Sequence, residues 1–204
     1  MGWRQRLNAC GLLLAGVGLA SCATSLPPEP EEAATDKPLV IGRAVTVLLG
    51  PTTRWYAPAV RFVELINAAT RERYQVEMRA DDRSFVVAIP PGSYALSRVQ
   101  VSEGPFMSMA DVNMEFTVSP QHITYVGTWR FGVDIPKYGR KLLVSMIDDE
   151  QTRNEIEQRF IDIHPEWADL PIVTDLPRPS MTETRLYEVA PYPRYPRYFR
   201  RHWW

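Results

Sequence analysis

The stretch Phe85-Val86-Val87-Ala88-Ile89-Pro90-Pro91-Gly92-Ser93-Tyr94-Ala95-Leu96 decides the fold. Residues 84–89 are more uniformly apolar than the alternating strands, apart from Ser84, as in a central strand buried on both faces. Pro91 presets the first position of a turn, and Gly92 supplies the positive φ of a type II turn. Tyr94 then returns to the core side and opens the next strand. The unit is strand, turn, strand.

Working outward, the same period recurs. Tyr74, Val76 and Met78 alternate with Gln75, Glu77 and Arg79. Val112, Met114, Phe116 and Val118 alternate with Asn113, Glu115 and Thr117. Ile123, Tyr125, Trp129 and Phe131 alternate with His122, Thr124, Thr128 and Arg130. A period of two buries one face and wets the other. The runs 40–48, 59–66, 84–89, 93–101 and 141–147 are more uniformly apolar and read as central strands. Tyr94 and Leu96 share one parity while Val99 and Val101 take the other, so a bulge near Ser97-Arg98 is expected.

About eight short strands separated by turn signals point to a β-sandwich. The spacing is too tight for crossover helices before residue 147, and no repeat of solenoid period is present. The fold class read from sequence is therefore mainly β. It is a single antiparallel β-sandwich over residues 39–147, with one C-terminal helix at 148–164 and a Pro-rich extension at 165–204.

Helix 148–164 begins at acids that suit the positive end of its dipole. Asp148 is the expected cap, with Gln151 three residues on. Ile156, Phe160 and Ile163 form the buried stripe, Glu155 and Arg159 are spaced to pair, and Ile161 falls off the stripe. Pro165 ends the helix. The extension carries Pro165, Pro171, Pro177, Pro179, Pro191, Pro193 and Pro196, with room for a short strand at 184–189.

The strand–Pro-Gly–Tyr pattern of residues 85–96 resembles that of transthyretin-like and related immunoglobulin-like sandwich domains. Tyr125-Val126-Gly127 is similar to a strand found in small bacterial lipoproteins of that kind. The resemblance covers about half of the mature chain. It implies a sandwich, and it transfers no functional residues, because such sandwiches host many roles.

At the N-terminus, Arg4 and Arg6 precede an apolar run containing Leu12, Leu13, Leu14, Val17 and Leu19. That run is about 10 residues, where a membrane span needs roughly 20. Leu19-Ala20-Ser21-Cys22 follows as a lipobox, so residues 1–21 read as a signal peptide. The chain thus resembles the bacterial lipoprotein class. The resemblance implies diacylglycerol on the Cys22 thiol, cleavage before Cys22 and acylation of the new amine. Each buried methylene contributes about 0.8 kcal/mol, so several acyl chains hold the protein on the membrane. Ala23 rather than Asp follows the cysteine, which in that class leans towards the outer membrane, facing the periplasm. Residues 22–38 read as the lipidated cysteine and a Pro/Glu-rich, semi-stiff tether.

Cleavage would remove Cys10, Arg4 and Arg6. It would leave Cys22 as the sole cysteine and a formal charge of −3 against the −1 of the full chain. That rules out an intrachain disulfide, a cysteine nucleophile and a zinc–cysteine site. The near-balance of charge argues against nucleic acid as a partner. His122, His164 and His202 have no metal-ligand spacing. Asp81-Asp82 and Asp148-Asp149-Glu150 suit a turn and a helix start better than an acid–base pair or a Ca²⁺ site. No nucleophile elbow, phosphate loop or dinucleotide fingerprint is present, so no catalytic residue, metal or cofactor is assigned.

Residues 190–204 hold Arg194, Arg197, Arg200 and Arg201 with no acid, interleaved with Tyr192, Tyr195, Tyr198, Phe199, Trp203 and Trp204. The Pro-Arg-Tyr spacing of three suits polyproline II. Tyr195, Arg197, Tyr198, Arg200, Arg201, Trp203 and Trp204 are the candidate contact residues. They suit a membrane surface, a protein groove or a glycan, or they cover the domain's own apolar face. The reading is a non-enzymatic envelope lipoprotein, held to the membrane by its N-terminal lipid. Its sandwich would serve interaction or assembly with an envelope protein or glycan partner. A glycan- or peptide-binding module, and an enzyme with a loop-built site, are the alternatives.

Overall fold

The computed structural model describes residues 38–50, 54–78 and 84–189. Cys22, the tether, Asp81-Asp82 and the tail residues 190–204 lie outside the described residues.

Eight strands come first: β1 (Leu39–Leu48), β2 (Pro58–Asn67), β3 (Arg73–Glu77), β4 (Ser84–Ala88), β5 (Gly92–Glu103), β6 (Phe106–Val118), β7 (Ile123–Val133) and β8 (Lys141–Ile147). Then come α1 (Glu150–Ile163), a 3-10 turn (Pro165–Trp167), β9 (Ile172–Thr174), β10 (Met181–Arg185) and β11 (Tyr187–Val189). Two sheets form. One has the order β10-β8-β7-β1-β4, with β9 also on β7; the other has the order β11-β6-β5-β2-β3. The protein is mainly β, in a two-sheet, sandwich-like arrangement with one helix.

The expectation of a wholly antiparallel sandwich is corrected. β1 pairs with β7 in parallel, and β9 pairs with β7 in parallel. Parallel neighbours normally need a crossover. Here the crossover is the second sheet itself, since β2, β3, β5 and β6 lie between β1 and β7 in the chain.

The two faces of the first sheet bury different things. Val40, Val87, Val126, Trp129, Phe131 and Val144 face the other sheet, where they meet Val63, Leu65, Tyr94, Leu96, Val99 and Met114. Leu39, Ile41, Ala88, Ile123 and Tyr125 face the opposite way, onto Ile156 and Phe160 of α1 and Trp167. This two-sided burial explains the uniformly apolar runs of β1 and β4.

The alternation read along β7 breaks in the middle. Ile123 and Tyr125 face the helix, whereas Trp129 and Phe131 face the other sheet. A register shift lies opposite Ile41–Arg43, where Tyr125 and Thr128 are successive partners. Gly127 sits in it with φ +80°, a left-handed value that glycine adopts at little cost. The bulge also divides the strand's outer edge: β9 takes the lower part and β8 the upper. Trp129 Nε1 donates to Val126 O across it at 3.0 Å. In β5 the register breaks between Leu96 and Arg98, where the parity change placed it.

Gly92 has φ +147°, well away from the type II value of about +80°. Tyr94 is nonetheless buried, and its hydroxyl donates to Pro90 O at 2.7 Å. In α1 the cap is Asp149, not Asp148: its carboxylate accepts from the Thr152 N–H at 2.9 Å. Ile156 and Phe160 are buried as expected, but Ile163 is 57% exposed, and Ile161 packs against the core instead. Trp167 of the 3-10 turn is buried in the same cluster.

Residues 172–189 lace one side of the two sheets. β10 adds to the edge of β8, Leu186 is buried, and β11 adds to the edge of β6. Lower down, Arg178 bridges to Glu115.

Candidate interaction pole

Strand directions give the sandwich two unlike ends. Leu39, Ala88, Gly92 and Ile123 mark the near end, where the described chain begins. Leu48, Pro58, Glu103, Phe106, Val133 and Lys141 mark the far end. Ten residues of β1 separate the two, roughly 30 Å at about 3.3 Å per residue. β11 runs towards the far end and stops at Val189, opposite Met107. The described chain therefore ends at the far end.

Beneath the far end lies a buried ionic clasp. Glu103 closes β5 in one sheet, and Arg140 precedes β8 in the other. Their carboxylate and guanidinium pair directly, with side chains 9% exposed. Arg140 also donates to Ser108 Oγ of β6. From the β1–β2 loop, Arg54 Nη1 donates to Glu103 Oε1 at 2.6 Å, and Nη2 donates to Val133 O at 2.8 Å. One carboxylate thus fastens two sheets and a loop. Desolvating three charges is costly, and only mutual pairing makes it tolerable. The clasp carries one more cation than anion.

The clasp fixes a loop that displays aromatics. Next to Arg54, Trp55 is 91% exposed and Tyr56 is 45% exposed. The Tyr56 ring lies so close to Gly104 that a Cβ there would meet it at 2.6 Å. Only glycine leaves that space. The β7–β8 loop adds Tyr138, 80% exposed, with the Arg185 guanidinium 5.3 Å from its ring centre. The two loops touch, since a Cβ on Gly50 would meet Ile135 at 3.3 Å. Nearby, Lys137 pairs with Asp134 at 2.8 Å, and Lys141 pairs with Glu183. Burial tends to raise the Asp134 pKa, but the Lys137 ammonium and the Ile135 N–H outweigh it and hold it below the usual value.

Nothing in the sequence pattern marked Arg54, Trp55, Tyr138 or Arg140, because isolated charges and loop aromatics carry no periodic signal. The candidate residues that were marked, Cys22, Tyr195, Arg197, Tyr198, Arg200, Arg201, Trp203 and Trp204, lie outside the described residues.

Elsewhere the chemistry is sparse. His122 sits in the turn ahead of β7 rather than on the strand, with Nδ1 2.6 Å from Pro120 O. His164 caps the end of α1, 3.4 Å from Glu166. No three His, Cys, Asp or Glu side chains are grouped to hold a metal among the described residues. Under α1, the Tyr125 and Thr128 hydroxyls are buried without a hydrogen-bond partner. Burial, then the Asp148 charge, raises the Tyr125 pKa, so this phenol stays protonated at neutral pH. An open depression along α1 is lined only by residues of that helix, among them Glu150, Asn154 and Gln158, and has no opposing wall. No helix of the described residues is long and apolar enough to cross a membrane.

Fold and site together define a two-sheet β-domain with a clasped far end that displays aromatic side chains. No family model matches the chain, and no curated protein or solved structure matches it.

Proposed function

We propose that this chain is an envelope lipoprotein, anchored through Cys22, that presents a non-enzymatic β-domain for interaction or assembly. The observation that carries this reading is polarity. The chain enters the domain at the near end from the anchor side. The exposed aromatics and the end of β11 at Val189 share the far end. An anchored domain so arranged is entered at one end and displays its exposed aromatics at the other. The proposed placement in the outer membrane, facing the periplasm, rests on Ala23, and the proposed tether on the composition of residues 22–38.

The runner-up, a glycan- or peptide-binding module that reads its ligand across an open sheet, loses ground. The exposed Trp55, Tyr56 and Tyr138 are on loops, and the uncovered sheet carries an ionic stripe beside the single exposed Tyr187 among its described strands. There Arg73 pairs with Glu64 at 3.0 Å and Arg98 pairs with Asp111 at 3.2 Å.

Mass analysis of the mature N-terminus tests the anchor: a lipidated Cys22 is expected, and retention of residues 1–21 overturns it. Crosslinking in the native envelope, with and without residues 190–204, tests the role. A stoichiometric protein partner lost on truncation assigns docking to the tail.

A further inference from the structure

We propose that the far end, through Trp55, Tyr56, Tyr138 and Leu48, is a contact surface for an anionic lipid bilayer. The proposal deepens the lipoprotein reading and rests on it for the presence of a bilayer within reach.

The argument begins with what the far end leaves unpaired. Most of its charged side chains pair with one another: Arg54 and Arg140 with Glu103, Arg140 with Ser108, Lys137 with Asp134, Lys141 with Glu183, while Arg54 Nε is buried without a partner. What faces solvent is mainly aromatic and apolar: an indole 91% exposed, a phenol 80% exposed, half-exposed Tyr56 and Leu48. Trp and Tyr are the side chains that sit at the headgroup level of a membrane.

Shape agrees. The aromatics stand on two loops, Trp55 and Tyr56 between β1 and β2 and Tyr138 between β7 and β8. A rigid protein partner would need a matching surface for each. A bilayer deforms around all of them.

Charge sets the lipid type. The clasp has a cation in excess, and Arg185 covers the Tyr138 ring. Cations beside interfacial aromatics favour anionic headgroups, and the attraction weakens with salt.

Geometry allows the contact. The 15 residues between Cys22 and Pro38 can span at most about 50 Å at roughly 3.1 Å per residue step. That exceeds the height of the sandwich, so the far end reaches either an opposing membrane or, on turning over, its own.

The test uses residues 22–204 with Cys22→Ser, the chain left after signal cleavage but without lipid. It is sedimented with vesicles of phosphatidylethanolamine and phosphatidylglycerol, or of phosphatidylcholine alone. Binding to the anionic vesicles only is expected, with a blue shift of tryptophan fluorescence. Trp55→Ala with Tyr138→Ala should weaken it about tenfold or more. Both side chains are exposed, so the variant keeps the wild-type unfolding transition. Absence of binding overturns the proposal. So does equal binding by the double variant. So does binding lost only on removal of residues 190–204, which would assign it to the tail. Failure of the anchor shows separately, as an unlipidated Cys22 in the native protein.

Discussion

Glu103 and Arg140 stand on different sheets and pair directly where the far end closes, and this pair joins the two layers through charge rather than apolar packing. Glu103 also receives Arg54, so losing this one carboxylate leaves two buried guanidiniums without a counter-charge. Glu103→Gln should destabilise the protein by about 3–5 kcal/mol. Replacing all three charged residues by apolar ones of similar volume should cost much less, because the desolvation penalty leaves with them. Urea denaturation of both variants distinguishes a clasp from a passive surface pair.

Gly127 should resist substitution. Alanine there must hold φ near +80°, and its methyl would meet Leu176 Cδ2 at 2.7 Å and Ile147 O at 3.2 Å. Gly127→Ala is expected to cost about 1–3 kcal/mol in strain. Loss of amide protection should concentrate at the junction of β7 with β8 and β9, which hydrogen exchange resolves.

The helix face is testable by contrast. Phe160→Ala removes a ring that is 3% exposed and should cost about 3–5 kcal/mol. Ile163→Ala touches a residue facing solvent and should stay within about 0.5 kcal/mol. Equal effects in thermal unfolding would contradict this difference in burial.

Asp149 carries the pH dependence of the helix cap. The Thr152 hydroxyl, then the Thr152 N–H, hold its pKa below the ordinary carboxylate value. Its stabilisation is therefore complete above the ordinary carboxylate range and disappears as pH falls through the depressed folded value. Asp149→Ala should lower Tm at neutral pH, and the two Tm curves should converge in acid. Parallel curves would exclude the cap.

The strand content was legible because period-two patterns and Pro/Gly stops are local. Residues 40–48, 59–66, 84–89, 93–101 and 141–147 fall on strands for that reason. The parity change at Ser97-Arg98 disclosed a bulge, since the residues on either side bury only one face. The bulge at Gly127 was hidden, because β7 buries both faces and Ile123, Tyr125, Trp129 and Phe131 share one parity regardless. The pairing of β1 with β7 was invisible, since partner choice is a long-range property. Asp148 and Asp149 both suit a cap, and only the path of the preceding strand selects the second. At the far end, burial of Arg54 and Arg140 depends on Glu103 arriving from another sheet, and no local pattern announces that.

The parallel pairing of β1 with β7 has a consequence for when the chain can fold. β1 emerges first from the ribosome, yet its partner ends at Val133. Closing so long a loop is slow, and the inter-sheet core has no complete wall until β7 exists. The nascent chain therefore spends most of its synthesis as an open polypeptide. On the lipoprotein reading proposed above, this delay would keep the chain open for export, a property written into strand order.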